Sequence, residues 1–335
     1  MANQYFKPVF QQRGLALITA MLVVAVAATT AAYLGLDQQI WQRQSENFTD
    51  RAQAEVVRAG AQEWVITILA KDANESNSDD LTEDWARKLP PIPVEGGLVT
   101  GQIIDAQSKF NLNNLVRNNQ PSPPDIGTFQ HLLKTLLLDP NLSDSVIDWI
   151  DSDSNARPAG AEDIDYLQMK TPYRAANQPL QSVEELRLIR GFTPEMIEKL
   201  LPWVTALPQP TEINVNTAPQ EILAAVFYTL PSSAVEQLYQ QRPYKDQAKL
   251  TTKLQELAGG KTLPPVHIGV KSSYFEITIE TLFGRYQRTT QALIQRGADK
   301  ESIHAVWHSQ RLPGWIVSTE SKAGENPEKP AGGKI

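Results

Sequence analysis

The sequence predicts an α+β fold: one long N-terminal helix packed on a small antiparallel sheet, with a large all-α domain inserted between them. Three observations carry that prediction. Residues 15–36 contain no charge and residues 37–71 no proline, so one helix can run through both. Residues 272–296 alternate apolar and polar side chains, the two-residue period of a hairpin. Residues 111–266 hold short apolar-periodic stretches, each opened by Ser, Thr, Asp or Pro, which are helix-start signals.

Composition bounds the function. The chain has 335 residues, 41% of them hydrophobic, which is enough for one large or two smaller domains. Its formal net charge of −7 argues against a phosphate-backbone binder, which needs clustered Lys and Arg. It has no Cys, which excludes disulfides, thiolate zinc sites and cysteine nucleophiles.

Residues 1–14 form a short leader carrying Lys7 and Arg13. Leu15 to Leu36 is long enough to cross a bilayer core of about 30 Å at roughly 1.5 Å per residue. Basic residues before it place the N-terminus in the cytoplasm and the rest of the chain outside, in a single pass of the inner membrane. The run exceeds the apolar region of an ordinary signal peptide, although "AVAATTAA" offers a cleavage site. The helical period then continues through Trp41, Phe48, Ala52, Val56, Ala59, Val65 and Ile68, so residues 15–70 read as a rod on the order of 80 Å long.

Beyond the rod, 74–84 reads as an acidic loop and 89–97 as a proline-rich connector. Residues 98–110 read as a strand or a hairpin around Gly101. Helices are expected at 126–138, at 143–150, after a capping box of Ser182 and Glu185, after Thr193–Pro194, and after a second capping box of Thr217 and Gln220. "FNLNNL" and "INVNTA" share an apolar-Asn-apolar-Asn pattern, each followed by two helices, which is a weak internal repeat. Gly284 marks the turn of the hairpin, and 302–312 supplies a third strand. The tail 318–335 is polar and rich in Pro and Gly, as in disordered segments. The head is then 71–110 plus 267–317, and the inserted domain 111–266.

The densest polar stretch is "DWIDSDSNARPAGAEDIDY", residues 148–166. Asp151, Asp153 and Asn155 alternate, and Glu162 stands at the twelfth position of a calcium-type loop. Ala156 occupies the place where an EF-hand needs Gly, and Pro158 stiffens the loop, so this is no EF-hand. Asp163 and Asp165 add carboxylates, enough for one or two calcium ions. A solvated acidic loop without an ion is the plain alternative. "LRLIRGFTPEMIEKLL" resembles a helix-hairpin-helix element, yet Thr193–Pro194 replaces the Gly whose amide would hold a phosphate. No nucleophile motif appears, so no enzyme and no catalytic residue is expected, and no nucleic acid.

A basic leader, Gly14, an apolar run and an amphipathic helix resemble the start of type IV pilin-like proteins. The resemblance implies cleavage by prepilin peptidase between Gly14 and Leu15, with methylation of the new terminus. It also implies Glu at the fifth mature position, where this chain has the neutral Thr19. Joined with "WARKLPPIPVEGG", "QSKFNLNNL", "DWIDSD", "GAEDIDY", "TPYRAANQPL", "SVEELRLIRG" and "INVNTA", the chain resembles the minor pseudopilin K family of type II secretion systems. That implies a pilin-like head with an inserted helical domain that binds calcium. It implies a place at the tip of a periplasmic pseudopilus with minor pseudopilins I and J, where it starts assembly and serves protein export. Two rivals stay open on the residues. One is a membrane-anchored helix-hairpin-helix DNA-binding protein of a competence-type system. The other is a membrane-tethered metal hydrolase using the acidic loop.

Overall fold

The computed structural model describes residues 11–297 and 302–311. Residues 1–10 of the leader and the tail after 311 lie outside the described residues. The first helix, α1 (Gln11–Glu75), runs unbroken for 65 residues, about 100 Å at 1.5 Å per residue. From Leu15 to Trp41 its large apolar side chains are exposed, and Leu15–Glu75 is the one helix long and apolar enough to cross a membrane among the described residues.

A single 3₁₀ turn at Asp84–Ala86 leads to β1 (Ile92–Val94) and β2 (Gly97–Asp105). The expected connector thus contains a strand; of the two readings of 98–110 the strand holds, since β2 runs straight through Gly101 and the hairpin turn lies at Glu95–Gly96. Pro93 hides this strand in the sequence; proline is tolerated there because β1 is the sheet edge.

The chain then leaves the sheet. It passes through β3 (Phe110–Asn111), a 3₁₀ turn at Leu112–Leu115, β4 (Val116–Arg117) and β5 (Gln120–Pro121). Next come α2 (Pro123–Thr135), α3 (Leu142–Ile150) and α4 (Asp163–Leu167). The Ser182–Glu185 capping box is present but opens a 3₁₀ stretch, Val183–Leu188, and no α-helix. After it follow α5 (Pro194–Leu200), capped by the Thr193 hydroxyl, and β6 (Val204–Thr205). The second half runs through β7 (Ile213–Asn214), α6 (Gln220–Val226), α7 (Ser232–Gln240), α8 (Gln247–Leu257) and β8 (Ile268–Gly269). The sheet resumes with β9 (Tyr274–Phe283), β10 (Tyr286–Gln295) and β11 (His304–Arg311), in spatial order β1-β2-β9-β10-β11, antiparallel throughout.

The weak repeat in the sequence is a structural one. Asn111 Oδ1 accepts from the Asn113 N–H at 3.1 Å, and Asn214 Oδ1 from the Asn216 N–H at 3.0 Å. Each following Asn then clamps a distant backbone from both sides. Asn113 donates to the Leu180 carbonyl at 2.9 Å and accepts its N–H at 2.8 Å. Asn216 does the same to Tyr244, at 3.0 and 2.7 Å. Each Asn-bearing strand also pairs in parallel with a later short strand, β3 with β6 and β7 with β8. An amide side chain offers a donor and an acceptor together, so it can replace one rung of a backbone ladder.

Two large apolar cores result, with a small third cluster of Ala106, Leu207, Tyr274 and Leu293. One joins Val65, Ile66 and Leu69 of α1 to Ile103, Phe275, Ile277 and Ile294 of the sheet, with Trp85 set edge-on against Phe275 at 5.2 Å. The larger one fills the helical part, from Phe110 to Val270. Each fully buried Leu or Phe contributes about 1.5–3 kcal/mol. Between α1 and the β1–β2 side of the sheet lies an apolar cavity of about 590 Å³, lined by Val57 and Trp64 of α1 and by Ile92 and Val99 of the strands.

Candidate functional sites

Between the two cores lies a buried polar junction. Arg296 extends from the end of β10 with its side chain 2% exposed. It donates to Asp72 at 2.6 Å, to both oxygens of Asp79, and to the Ser272 carbonyl at 2.6 Å. Asp72 sits in the last turns of α1 and Asp79 in the loop after it. Burial, the neighbouring Asp79 and the Glu83 charge push the Asp72 carboxyl up to about 7. Asp72, Asp79 and Glu83 converge closely enough to hold a metal ion. Here the Arg296 guanidinium already supplies the positive charge.

Asp105 at the end of β2 completes the junction. It accepts from Thr217 Oγ1 at 2.5 Å, Ser272 Oγ at 2.7 Å, Asn214 Nδ2 at 2.9 Å and the Gln107 N–H at 2.8 Å. Thr217 therefore caps no helix; α6 begins after Pro219, and the threonine hydroxyl is committed to a carboxylate far away in sequence. Complete burial pushes the Asp105 carboxyl up to about 6, against the pull of those hydrogen bonds.

The acidic loop of the helical part is a different kind of site. α3 is amphipathic and buries Val146, Ile147, Trp149 and Ile150, which carries Asp148 and Asp151 into the interior with it. Asp151, Asp153 and Glu162 place one carboxylate oxygen each within 4.8 Å of one another. Asp163 and Asp165 are not part of that group. Asp163 accepts the Ala175 N–H and faces Arg174, while Asp165 accepts the Glu162 N–H and pairs with Arg190 at 3.1 Å.

One carboxylate that sequence spacing overlooks belongs beside the group. Asp148 is fully buried; its Oδ2 accepts the Arg157 N–H at 2.9 Å. The Oδ1 of Asp148, Oδ1 of Asp151 and Oε1 of Glu162 are all buried without a hydrogen-bond partner. Burial, together with the charges of Asp148, Asp151 and Asp153, pushes Glu162 up to about 7. Burial raises Asp148 to about 6 and also raises Asp151. Unpaired buried carboxylate oxygens are costly, and several converging oxygens are the donor set of a hard divalent cation.

Gly160 closes the loop over α3. A Cβ there would lie 1.8 Å from Asp148 Oδ2, inside any permitted contact. Gly160→Ala is expected to lower stability by about 1–3 kcal/mol, read from thermal unfolding, because the buried carboxylate has nowhere to retreat.

The remaining sequence candidates are simple. Gly14 and Leu15 both lie within α1. Thr19 donates its hydroxyl to the Leu15 and Ala16 carbonyls at 3.1 and 3.0 Å, so its polarity is satisfied inside its own helix.

Family models described as type II secretion system (T2SS), protein K, match residues 108–209 and 213–271. The chain is 35% identical over 303 residues to the type II secretion system protein K of Pseudomonas aeruginosa, covering 86% of this chain and 90% of that one. It is 31% identical over 316 residues to the same-named protein of Pectobacterium carotovorum, covering 88% and 95%. Among solved structures it is similar to a chain in the crystal structure of the GspK-GspI-GspJ complex from the enterotoxigenic Escherichia coli type 2 secretion system. That match has a TM-score of 0.69 and 25% identity and covers 80% of this chain and 99% of that one.

Proposed function

The chain belongs to the type II secretion system protein K family and is a minor pseudopilin of that machinery, and from this we propose that it starts and caps the pseudopilus, at its tip, with calcium in its helical domain. Minor pseudopilins I and J are its proposed partners, on the strength of the GspK-GspI-GspJ complex. Other pseudopilins are then proposed to follow below it. The role is structural. The competence-type DNA reading is not favoured by these relatives.

One observation carries the tip reading: Thr19 bonds only to its own helix and offers no charge. A charged amine within apolar helix packing needs a counter-charge. This subunit cannot answer the amine of a copy placed above it. Its own Leu15 amine, after cleavage by prepilin peptidase behind Gly14, can still be answered by a Glu of the subunit below. The proposed topology has the N-terminus in the cytoplasm, α1 through the inner membrane and the rest in the periplasm.

N-terminal sequencing of membrane-extracted protein tests the processing, with Leu15 expected first; an intact Met1 or a cut near Ala32 contradicts it. Gold labelling of the helical domain on elongated pseudopili tests the position. Label at one end is expected, and label along the shaft contradicts the tip.

The three unpartnered buried oxygens of Asp148, Asp151 and Glu162 support the calcium reading. Asp151, Asp153 and Glu162 would hold the ion, with backbone carbonyls and water filling the six to eight positions calcium takes. The expected result is terbium luminescence sensitised through Trp149, two residues before Asp151, displaced by calcium and lost in Asp151→Asn.

A further inference from the structure

We propose that the apolar cavity between α1 and the β1–β2 side of the sheet is a socket for a large apolar side chain of an adjoining minor pseudopilin, one that carries a carboxylate beside it. The inference rests on the partner reading above and gives that partner a place on this chain.

The cavity is open because two of its residues have no side chain. Gly60 lines it from α1 and Gly101 from β2. Gly60 lies inside the helix, and Gly101 lies in a strand whose register with β9 runs unbroken, opposite Ile279. Neither has a positive φ, so neither serves a turn. A Cβ on Gly60 would meet nothing within 4 Å, so no neighbour in the chain demands the glycine. A Cβ on Gly101 would meet only the Thr278 carbonyl oxygen, at 3.2 Å. Glycine inside a helix or a strand gives up stability that alanine would keep. Where neither conformation nor internal packing asks for it, glycine marks a close approach from outside.

A ridge on α1 leads into the cavity. Phe48, Ala52, Val56, Gly60, Trp64 and Ile68 stand four apart in sequence and so form one row along the helix surface. Phe48 and Val56 are 75% and 73% exposed, so nothing in the chain covers the lower part of the row. At Gly60 the row enters the cavity, and Trp64 and Ile68 continue it as one wall. An uncovered apolar row that rises from the membrane-crossing run and ends in a socket fits a neighbour whose own helix starts in the same membrane. A soluble protein that meets only the head would leave the row bare.

The rim supplies charge. Arg87 and Leu89 line the cavity, and the exposed Lys88 stands between them in sequence. Asp84, also on the rim, faces Arg87 at 3.3 Å, with side chains 78% and 70% exposed. A surface pair of that kind is weak and exchangeable. Lys88 leaves the rim with one positive charge in excess, complementary to a carboxylate next to the incoming side chain.

Titration of the full chain in detergent with minor pseudopilins I and J of the same bacterium reads the affinity. Gly60→Leu should melt at or above wild type, since the new side chain enters open space and a helix glycine is gone. It should nonetheless bind the pair about tenfold more weakly or worse. Gly60→Ala leaves most of the socket open and should stay within about threefold of wild type. Ile92→Asp, on the sheet wall, should weaken binding by about as much as Gly60→Leu, because only an occupant of the cavity touches both walls. Ile92 is 36% exposed, so this second variant carries the test if Gly60→Leu fails to fold. Arg87→Glu with Lys88→Glu should weaken binding and reduce its salt dependence. Wild-type affinity in Gly60→Leu or in Ile92→Asp overturns the socket; the latter result marks a neighbour lying along α1 alone. In brominated detergent, quenching of Trp64, read as the signal lost in Trp64→Phe, that the pair does not relieve assigns the cavity to an acyl chain and also overturns it. No binding of wild type to the pair removes the partner reading and this inference with it.

Discussion

Replacing Arg296 with methionine is expected to lower the unfolding free energy by about 3–5 kcal/mol, measured by urea denaturation of the full chain in detergent. The loss exceeds that of an ordinary surface ion pair because both partners are out of water: the side chains of Arg296 and Asp79 are 2% and 1% exposed. Methionine matches much of the buried stem but lacks the guanidinium, whose carbon lies 4.6 Å from the centre of the Phe275 ring. What goes is the charge that neutralises Asp79 and Asp72. Asp79 retains the Ser272 N–H at 2.6 Å, which is too little for a buried carboxylate. Asp79→Asn in the same molecule should therefore recover part of the loss. If Arg296→Met alone costs under about 1 kcal/mol, the junction is not what fastens the two cores.

In EDTA, the protein should lose stability as pH rises from 5 to 8, by on the order of 3 kcal/mol or more, and calcium should abolish part of that slope. The sign follows from the carboxyls. Asp72 and Glu162 are raised to about 7, and Asp105 and Asp148 to about 6. Unfolded, all four titrate near 4. Between about 4 and 7 the folded state holds protons that the unfolded state has released, so stability falls with rising pH across that window. It is fully present below the unfolded values and lost as pH passes the folded ones. Calcium takes the place of the protons only at Glu162 and its neighbours. The slope due to Asp72 and Asp105, far from the loop, should survive in calcium. The stabilisation by calcium should also shrink toward pH 5, where protons compete for the same oxygens. A stability that climbs from pH 5 to pH 8 in EDTA would contradict these assignments.

The parts legible in the sequence were those with a local period. α1 and the β9–β10 hairpin follow from spacing alone, because one face of each meets a continuous core. The start of α5 was legible too, since Thr193 bonds only three residues ahead. Thr217 was misread because a capping box and a tertiary hydrogen bond look alike in one dimension; its partner Asp105 is 112 residues away. β1 was missed because Pro93 argues against a strand until the strand is known to be an edge. In the acidic loop, alternation picked out Asp151 and Asp153, and the twelfth loop position picked out Glu162; their carboxylates converge. Spacing passed over Asp148, whose relevance depends on α3 turning that face inward, and it added Asp163 and Asp165, whose arginine partners lie along other segments.

β2 and β9 are direct antiparallel neighbours, in register from Gly97–Phe283 to Asp105–Phe275. Topologically, everything from Ala106 to Ser273 occupies the place of a hairpin turn. The helical domain is thus a graft on two adjacent stubs, Asp105 and Ser272, whose side chains already touch at 2.7 Å. A lineage can enlarge, reshape or exchange that graft while the long helix and the sheet stay as they are. The inserted domain and the helix-and-sheet head are therefore free to evolve on separate clocks.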